Sequence, residues 1–179
     1  MKRTIIAVGL IALFLAVVAQ AQAPVPKPGP EHKKLEIWVG DWTSEGESKA
    51  TPLGPAVKHS DKVSVRKILG GFFLESRAES DGVPQYFDID GYDPVNKKYT
   101  WNFFISDGSF IVGTYTLEGK TEAYSGTVTS GDKQYKMRGT IVFAADLNSA
   151  IEKAELSVDG KTWMPVYEGK YIKAKSSSK

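Results

Sequence analysis

Two histidines are the first residues to weigh, because imidazole is the side chain that most readily trades a proton or ligates a metal near neutral pH. His32 stands beside Lys33 and Lys34 in what reads as the first turn of a helix, a solvated position. His59 alternates with Val57, Asp61 and Val63, the spacing of one strand face, so it can point inward and join a ligand-binding set. Asp88, Asp90 and Tyr92 also share one strand face, with Tyr86 beside them. Carboxyls two residues apart on a strand can do acid–base work or hold a cation. The alternation with Phe87, Ile89 and Gly91 predicts instead that these acids lie on a solvated outer face, with the apolar partners inside. No Gly-x-Ser-x-Gly elbow and no phosphate-cradling glycine loop occurs, so no catalytic residue is nominated.

Aromatic residues are the stronger signal. Trp101 pairs by alternation with Phe103, Phe110 with Val112, and Tyr135 with Met137, while Trp163, Tyr167 and Tyr171 recur near the C-terminus. If these faces converge they enclose a site for a small apolar or amphipathic molecule, and the expected lining is Trp101, Phe103, Phe110, Tyr135, Met137, Trp163, Tyr167 and His59. The filled-core alternative stays open, since small barrels pack their interiors with side chains. Arg66, Arg77 and Arg138 sit on strands and could meet an anionic headgroup or simply face solvent.

The elements that must position these residues are strands. After Gly40 the hydropathy period changes from 3.6 to 2, and turn pairs such as Asp81-Gly82, Asp107-Gly108, Gly131-Asp132 and Asp159-Gly160 separate the alternating runs. Ten strands are predicted, near 42–48, 57–68, 72–80, 85–92, 98–106, 109–117, 121–129, 133–144, 150–158 and 162–173. Short connections make sequence neighbours antiparallel, and closure removes the two unpaired edges a ten-stranded meander would expose. The expected fold is all-β, an antiparallel up-and-down barrel with one short N-terminal helix over Glu31 to Val39, ended by Gly40. Charged outward rows, Glu75/Arg77/Glu79 and Lys136/Arg138, oppose a lipid-facing barrel.

Composition narrows the classes further. The 179 residues contain no cysteine, which excludes disulfides, thiolate metal sites, a thiol nucleophile and a cysteine-linked lipid. A formal charge of +2 gives no nucleic-acid surface. Lys2 and Arg3 precede an apolar run from Ile5 to Ala19, and Ala19, Ala21 and Ala23 follow at small-residue spacing. That order predicts a secretory signal over 1–21, with cleavage after Ala21, and a run too short to remain as a membrane anchor. The cleaved chain would hold 21 basic and 21 acidic residues. A proline-rich linker over 22–30, a barrel domain over 31–173 and a tail over 174–179 complete the expected organisation, in a secreted or periplasmic protein with no implied cofactor.

The helix–strand junction, Val39-Gly40-Asp41-Trp42, resembles the calycin superfamily of lipocalins and fatty-acid-binding proteins, which carry Gly-x-Trp at the entry to the first strand. The resemblance implies that Trp42 packs across the barrel floor against a basic residue of the last strand, here Lys173 where lipocalins usually have Arg. Nitrobindin-like calycin barrels bind haem through one interior histidine, which makes His59 the corresponding candidate. A longer set of segments is similar to the bacterial domain-of-unknown-function family numbered 1579. These are His32-Lys33-Lys34-Leu35, Val39-Gly40-Asp41-Trp42, Ile68 to Leu74, and Gly91-Tyr92-Asp93 with Lys97-Lys98-Tyr99. The similarity runs from about His32 to Lys173 and implies a calycin-like barrel, often exported, without an activity. The reading is thus an exported lipocalin-like binding protein, with an enzyme at the barrel mouth or an envelope interaction module as alternatives.

Overall fold

Residues 26–175 are described by a computed structural model. The expected signal segment 1–21, the first residues of the linker and the last four residues of the tail lie outside them. Ten strands follow one another: β1 (Gly40–Ser48), β2 (Val57–Ile68), β3 (Phe73–Ser80), β4 (Val83–Asp93), β5 (Lys98–Ile105), β6 (Phe110–Glu118), β7 (Thr121–Ser130), β8 (Lys133–Phe143), β9 (Ser149–Ser157) and β10 (Met164–Lys173). Each pairs antiparallel with its sequence neighbours, and β10 pairs with β1, so the sheet closes. The predicted up-and-down barrel is therefore the fold. Closure leaves no strand edge unpaired.

The turns obey the chemistry of their residues. Gly82, Gly108, Gly119 and Gly131 have positive φ at the hairpin tips, a backbone conformation that strains residues with a Cβ. Loop length then sets register. The Pro94–Lys97 turn between β4 and β5 brings Asp90 opposite Trp101 and Asp88 opposite Phe103. The two-residue turn between β7 and β8 brings Glu122 opposite Ile141.

The N-terminal segment closes one end. A short helix α1 (Pro30–Lys34) runs into a 3₁₀ turn (Leu35–Ile37), so the predicted helix is shorter than Glu31 to Val39 and tightens in its second half. Proline at the first helical position wastes no hydrogen bond. His32 is a structural residue and not merely a solvated one. Its Nδ1 accepts from the Gly29 amide at 3.0 Å, and its ring packs edge-on against Phe72. Leu35 is fully buried beneath the barrel. Gly40 then turns the chain into β1 at φ +134°, close against the Lys173 stem, where an added Cβ would sit 2.9 Å from Cε.

The floor matches the expectation for Gly-x-Trp. Trp42 is buried, its indole N–H donates to the Trp38 carbonyl at 2.6 Å, and Lys173 Nζ stands 5.0 Å from its ring centroid. Leu35, Trp42, Val65 and Leu74 are among the most deeply buried apolar residues of the core. An aromatic ladder, Tyr92–Tyr99–Tyr115, crosses three strands at 5.2 and 5.0 Å.

Candidate functional site: an acidic, aromatic barrel interior

Inward positions follow the pleat. From β1 come Trp42, Ser44 and Ser48; from β2, His59, Asp61, Val63 and Val65; from β4, Tyr86, Asp88 and Asp90. Trp101 and Phe103 project from β5, Glu122 and Tyr124 from β7, Met137 from β8, Glu152 from β9, and Tyr167 and Tyr171 from β10. Together they enclose a cavity of about 320 Å³, within the range of small-molecule sites. Its lining extends to Leu53, which is 38% exposed in the β1–β2 loop, so the cavity reaches the barrel end opposite α1.

The expected outward placement of Asp88 and Asp90 is overturned. They are only 8% and 9% exposed, and they face the interior. Phe87, expected inside, instead lies on the outer face beneath the Arg77 guanidinium, 4.8 Å from its ring centroid, and stacks on Phe104. Gly91 is buried for a different reason than expected. The Phe73 ring covers it from outside and leaves no room for a side chain. Register decides this outcome: β4 must present to the interior the residues that pair with Trp101 and Phe103.

Two further carboxyls had no sequence signal of their own. Glu122 accepts from the Trp38 indole N–H at 3.1 Å. Glu152 accepts from the Tyr124 and Tyr171 hydroxyls at 2.5 and 2.7 Å. Burial raises the proton affinity of all four acids, since a desolvated carboxylate loses its hydration. Desolvation first, then the Asp90 charge, push Glu122 up to about 8. Desolvation also raises Glu152, against the two tyrosine hydrogen bonds. Asp88 and Asp90 lie two residues apart on the inward face of β4, and each alters the other's proton affinity. Desolvation and the Asp90 charge hold Asp88 well above the ordinary carboxylate range, while burial takes Asp90 to about 6. The pair titrates as a unit. Asp88 Oδ1 is left fully buried without a hydrogen-bond partner. Such an orphaned acceptor carries a desolvation penalty unless something comes to meet it.

Five of the expected lining residues do come together. Trp101, Phe103, Met137, Tyr167 and His59 all face the cavity. Three do not. Phe110 is 37% exposed and pairs with Phe104 on the outer face, because Ile111 is the β6 residue opposite Phe103. Tyr135 is buried in the core without lining the cavity. Trp163 precedes β10 and lies outside under Arg138, 4.0 Å from guanidinium to ring. The arginines likewise serve the exterior: Arg66 pairs with Asp41, Arg77 with Glu75 and Arg138 with Glu155. His59 does not fit the haem ligand that the nitrobindin resemblance implies. Its Nε2 shares a 2.7 Å hydrogen bond with Ser48 Oγ, which commits the ring to the wall. No step is assigned to it.

The chain matches the family described as "Protein of unknown function (DUF1579)" over residues 27–173. It belongs to that family. Among solved structures, the crystal structure of Rv2717c from M. tuberculosis is similar at a TM-score of 0.56 and 14% sequence identity. The match covers 82% of this chain and 99% of that one. At that identity the likeness concerns the barrel alone. No curated protein matches the sequence.

Proposed function

We propose that this family member is a binding barrel that holds a small organic molecule, non-covalently, in its interior. The observation that carries the reading is the 320 Å³ cavity, walled by Trp101, Phe103, Tyr124 and Tyr167 with buried acids among them, one acceptor of which is left unmatched. Large aromatic walls with a few convergent polar groups are what small-molecule sites require. The sequence alone suggested an apolar or amphipathic ligand. The buried carboxyls favour the amphipathic one, because a purely apolar guest leaves Asp88 Oδ1 desolvated and unpaired. The Lys2–Ala23 pattern supports action outside the cytoplasm, and a mature N-terminus at Gln22 is the expected result of sequencing the exported protein. Native mass spectrometry of protein purified from its own cells tests the binding reading. A retained small molecule supports it, whereas an empty protein that also takes up no member of a small-molecule library overturns it.

One observation favours a second reading, an acid–base enzyme. Asp88 and Asp90 stand two residues apart on one strand face, both turned to a cavity and both raised by burial, the arrangement that general acid–base work needs. A bound molecule recovered unchanged after incubation supports the carrier. Conversion that is lost in Asp88→Asn supports the enzyme.

A further inference from the structure

Five carboxylic side chains line the cavity, Asp61, Asp88, Asp90, Glu122 and Glu152, and among the described residues no lysine or arginine does. Lys173, the cation closest to the floor, is spent on Trp42 and the Ile37 carbonyl, and the strand arginines pair with acids on the exterior. The interior is thus an acidic enclosure without a resident counter-ion. Two of its acids are satisfied by neutral donors, Trp38 on Glu122 and the tyrosines on Glu152. Asp88 is not: the residue lines the cavity, and its Oδ1 is buried without a hydrogen-bond partner. Around it the walls are aromatic, with Trp101 5.0 Å from Tyr124 and Phe103 4.5 Å from Tyr86, centroid to centroid.

We infer that the cavity binds an organic ammonium ion, a primary or substituted amine on a small apolar body, with the cationic head at Asp88 and Asp90 and the body against Trp101 and Phe103. The inference rests on the binding reading above and names its ligand class. An ammonium supplies the donor that Asp88 Oδ1 lacks, and it gains from desolvated aromatic faces as well as from the carboxylates. A bare divalent metal is disfavoured, because among the described residues no three acidic or histidine side chains converge closely enough to hold one. An anion would meet five acids and no cation. The chemistry of entry balances simply: the ammonium comes in charged, a proton held by the buried Asp88 carboxyl leaves to solvent, and the net charge of the enclosure is unchanged. Nothing covalent forms.

Isothermal titration of the signal-free protein with three probes of one shape tests this. The probes are 2-phenylethylamine, 2-phenylethanol and 3-phenylpropionate, which carry a cationic, a neutral and an anionic head. The amine is expected to bind at least tenfold tighter than the other two, and titrations in buffers of different ionisation enthalpy should show proton release on binding. Asp88→Asn keeps the shape and removes the charge. It should cost the amine at least tenfold, and far more than it costs the alcohol, while circular dichroism reports whether the variant still folds. Equal affinity for amine and alcohol, or preference for the anion, overturns the amine assignment and leaves a binding barrel standing. Failure of all three probes overturns the assignment too. Only if the protein also proves empty in native mass spectrometry does the broader binding reading fall with it.

Discussion

The Trp38 indole N–H reaches 84 residues along the chain to donate to Glu122 Oε2, tying the N-terminal plug to the acidic interior. The same indole packs on Phe143 at 4.7 Å and on Trp42 and Tyr171 at 5.4 Å. The plug is thus both floor and polar partner. Trp38→Phe should keep most of the packing and strand the Glu122 carboxyl in a dry site, a loss of about 1–3 kcal/mol. Urea unfolding measures it. In the background of Glu122→Met the same substitution should cost clearly less, because the orphaned acceptor is gone.

Stability should fall as pH rises from about 4 toward 8. Asp90 moves from 3.8 unfolded to about 6 folded, and Glu122 from 4.5 to about 8, so the folded state holds protons that the unfolded chain has released. Stabilisation from a raised carboxyl is complete below the unfolded value and is lost as pH climbs through the folded one. Glu152 and Asp88 push in the same direction. Below pH 4 the sign reverses, because Asp159, lowered to about 2 by the Thr162 and Lys161 amides, must take up a proton. Chemical denaturation across pH 3–9 should therefore peak near pH 4–5. A double variant, Asp90→Asn with Glu122→Gln, should flatten the alkaline limb, and an unchanged limb would contradict the burial of these acids.

Lys173 over Trp42 is a partly buried cation–π contact, with a second tie to the Ile37 carbonyl at 3.5 Å. Lys173→Met should retain the stem packing against Gly40 and lose about 0.5–2 kcal/mol. Lys173→Arg should recover much of it, since a guanidinium can stack on the same indole. Thermal unfolding of the three proteins orders them directly.

The strands were legible because turn residues and alternation agree, and all ten appear within a few residues of their expected limits. The polar interior was not, because hydropathy read strand by strand puts Phe87 and Ile89 inside and Asp88 and Asp90 outside. Register carries the missing information. Trp101 and Phe103 are expected inward, and the four-residue turn before their strand obliges Asp90 and Asp88 to share that face. The same reasoning from Ile141 on β8 brings Glu122 inward through β7 and Glu152 inward through β9. It also turns Phe110 outward, since Ile111 takes the place opposite Phe103. Trp163 escaped for another reason: it falls before β10, whose register shifts between Pro165 and Tyr167. The chain resolves the conflict between hydropathy and register in favour of hydrogen-bonded pairing, and buried acids are the consequence.

Side chains of the wall and side chains of the exterior should therefore separate cleanly in a binding assay. Trp101→Ala removes a cavity face and should weaken 2-phenylethylamine at least tenfold. Phe110→Ser and Trp163→Phe alter only outward residues and should leave affinity within about twofold. Loss of binding in either exterior variant, with the fold intact by circular dichroism, would contradict the placement of the site inside the barrel.

Gly139 offers the most local test of how the site is positioned. It lies inward on β8 beside Tyr124, and a Cβ there would strike the Tyr124 ring and hydroxyl as well as the Lys153 carbonyl oxygen. The ring occupies the space that glycine leaves, and from there its hydroxyl donates to Glu152 across two strands. Gly139→Ala should displace the ring, with an overpacking loss of about 1–3 kcal/mol, and should leave Glu152 with the Tyr171 hydroxyl alone. Tyr124→Phe removes the same hydrogen bond without the clash, so the pair of variants separates packing from polarity. If the hydroxyl matters to the site, Tyr124→Phe should deepen the loss of stability with rising pH and carry it to higher pH, because Glu152 loses a donor that favours its ionised form. Restoring space with Gly139→Ala plus Tyr124→Leu should recover stability relative to Gly139→Ala alone. A destabilisation that persists in the double variant would place the strain at the Lys153 carbonyl and the backbone instead of at the tyrosine.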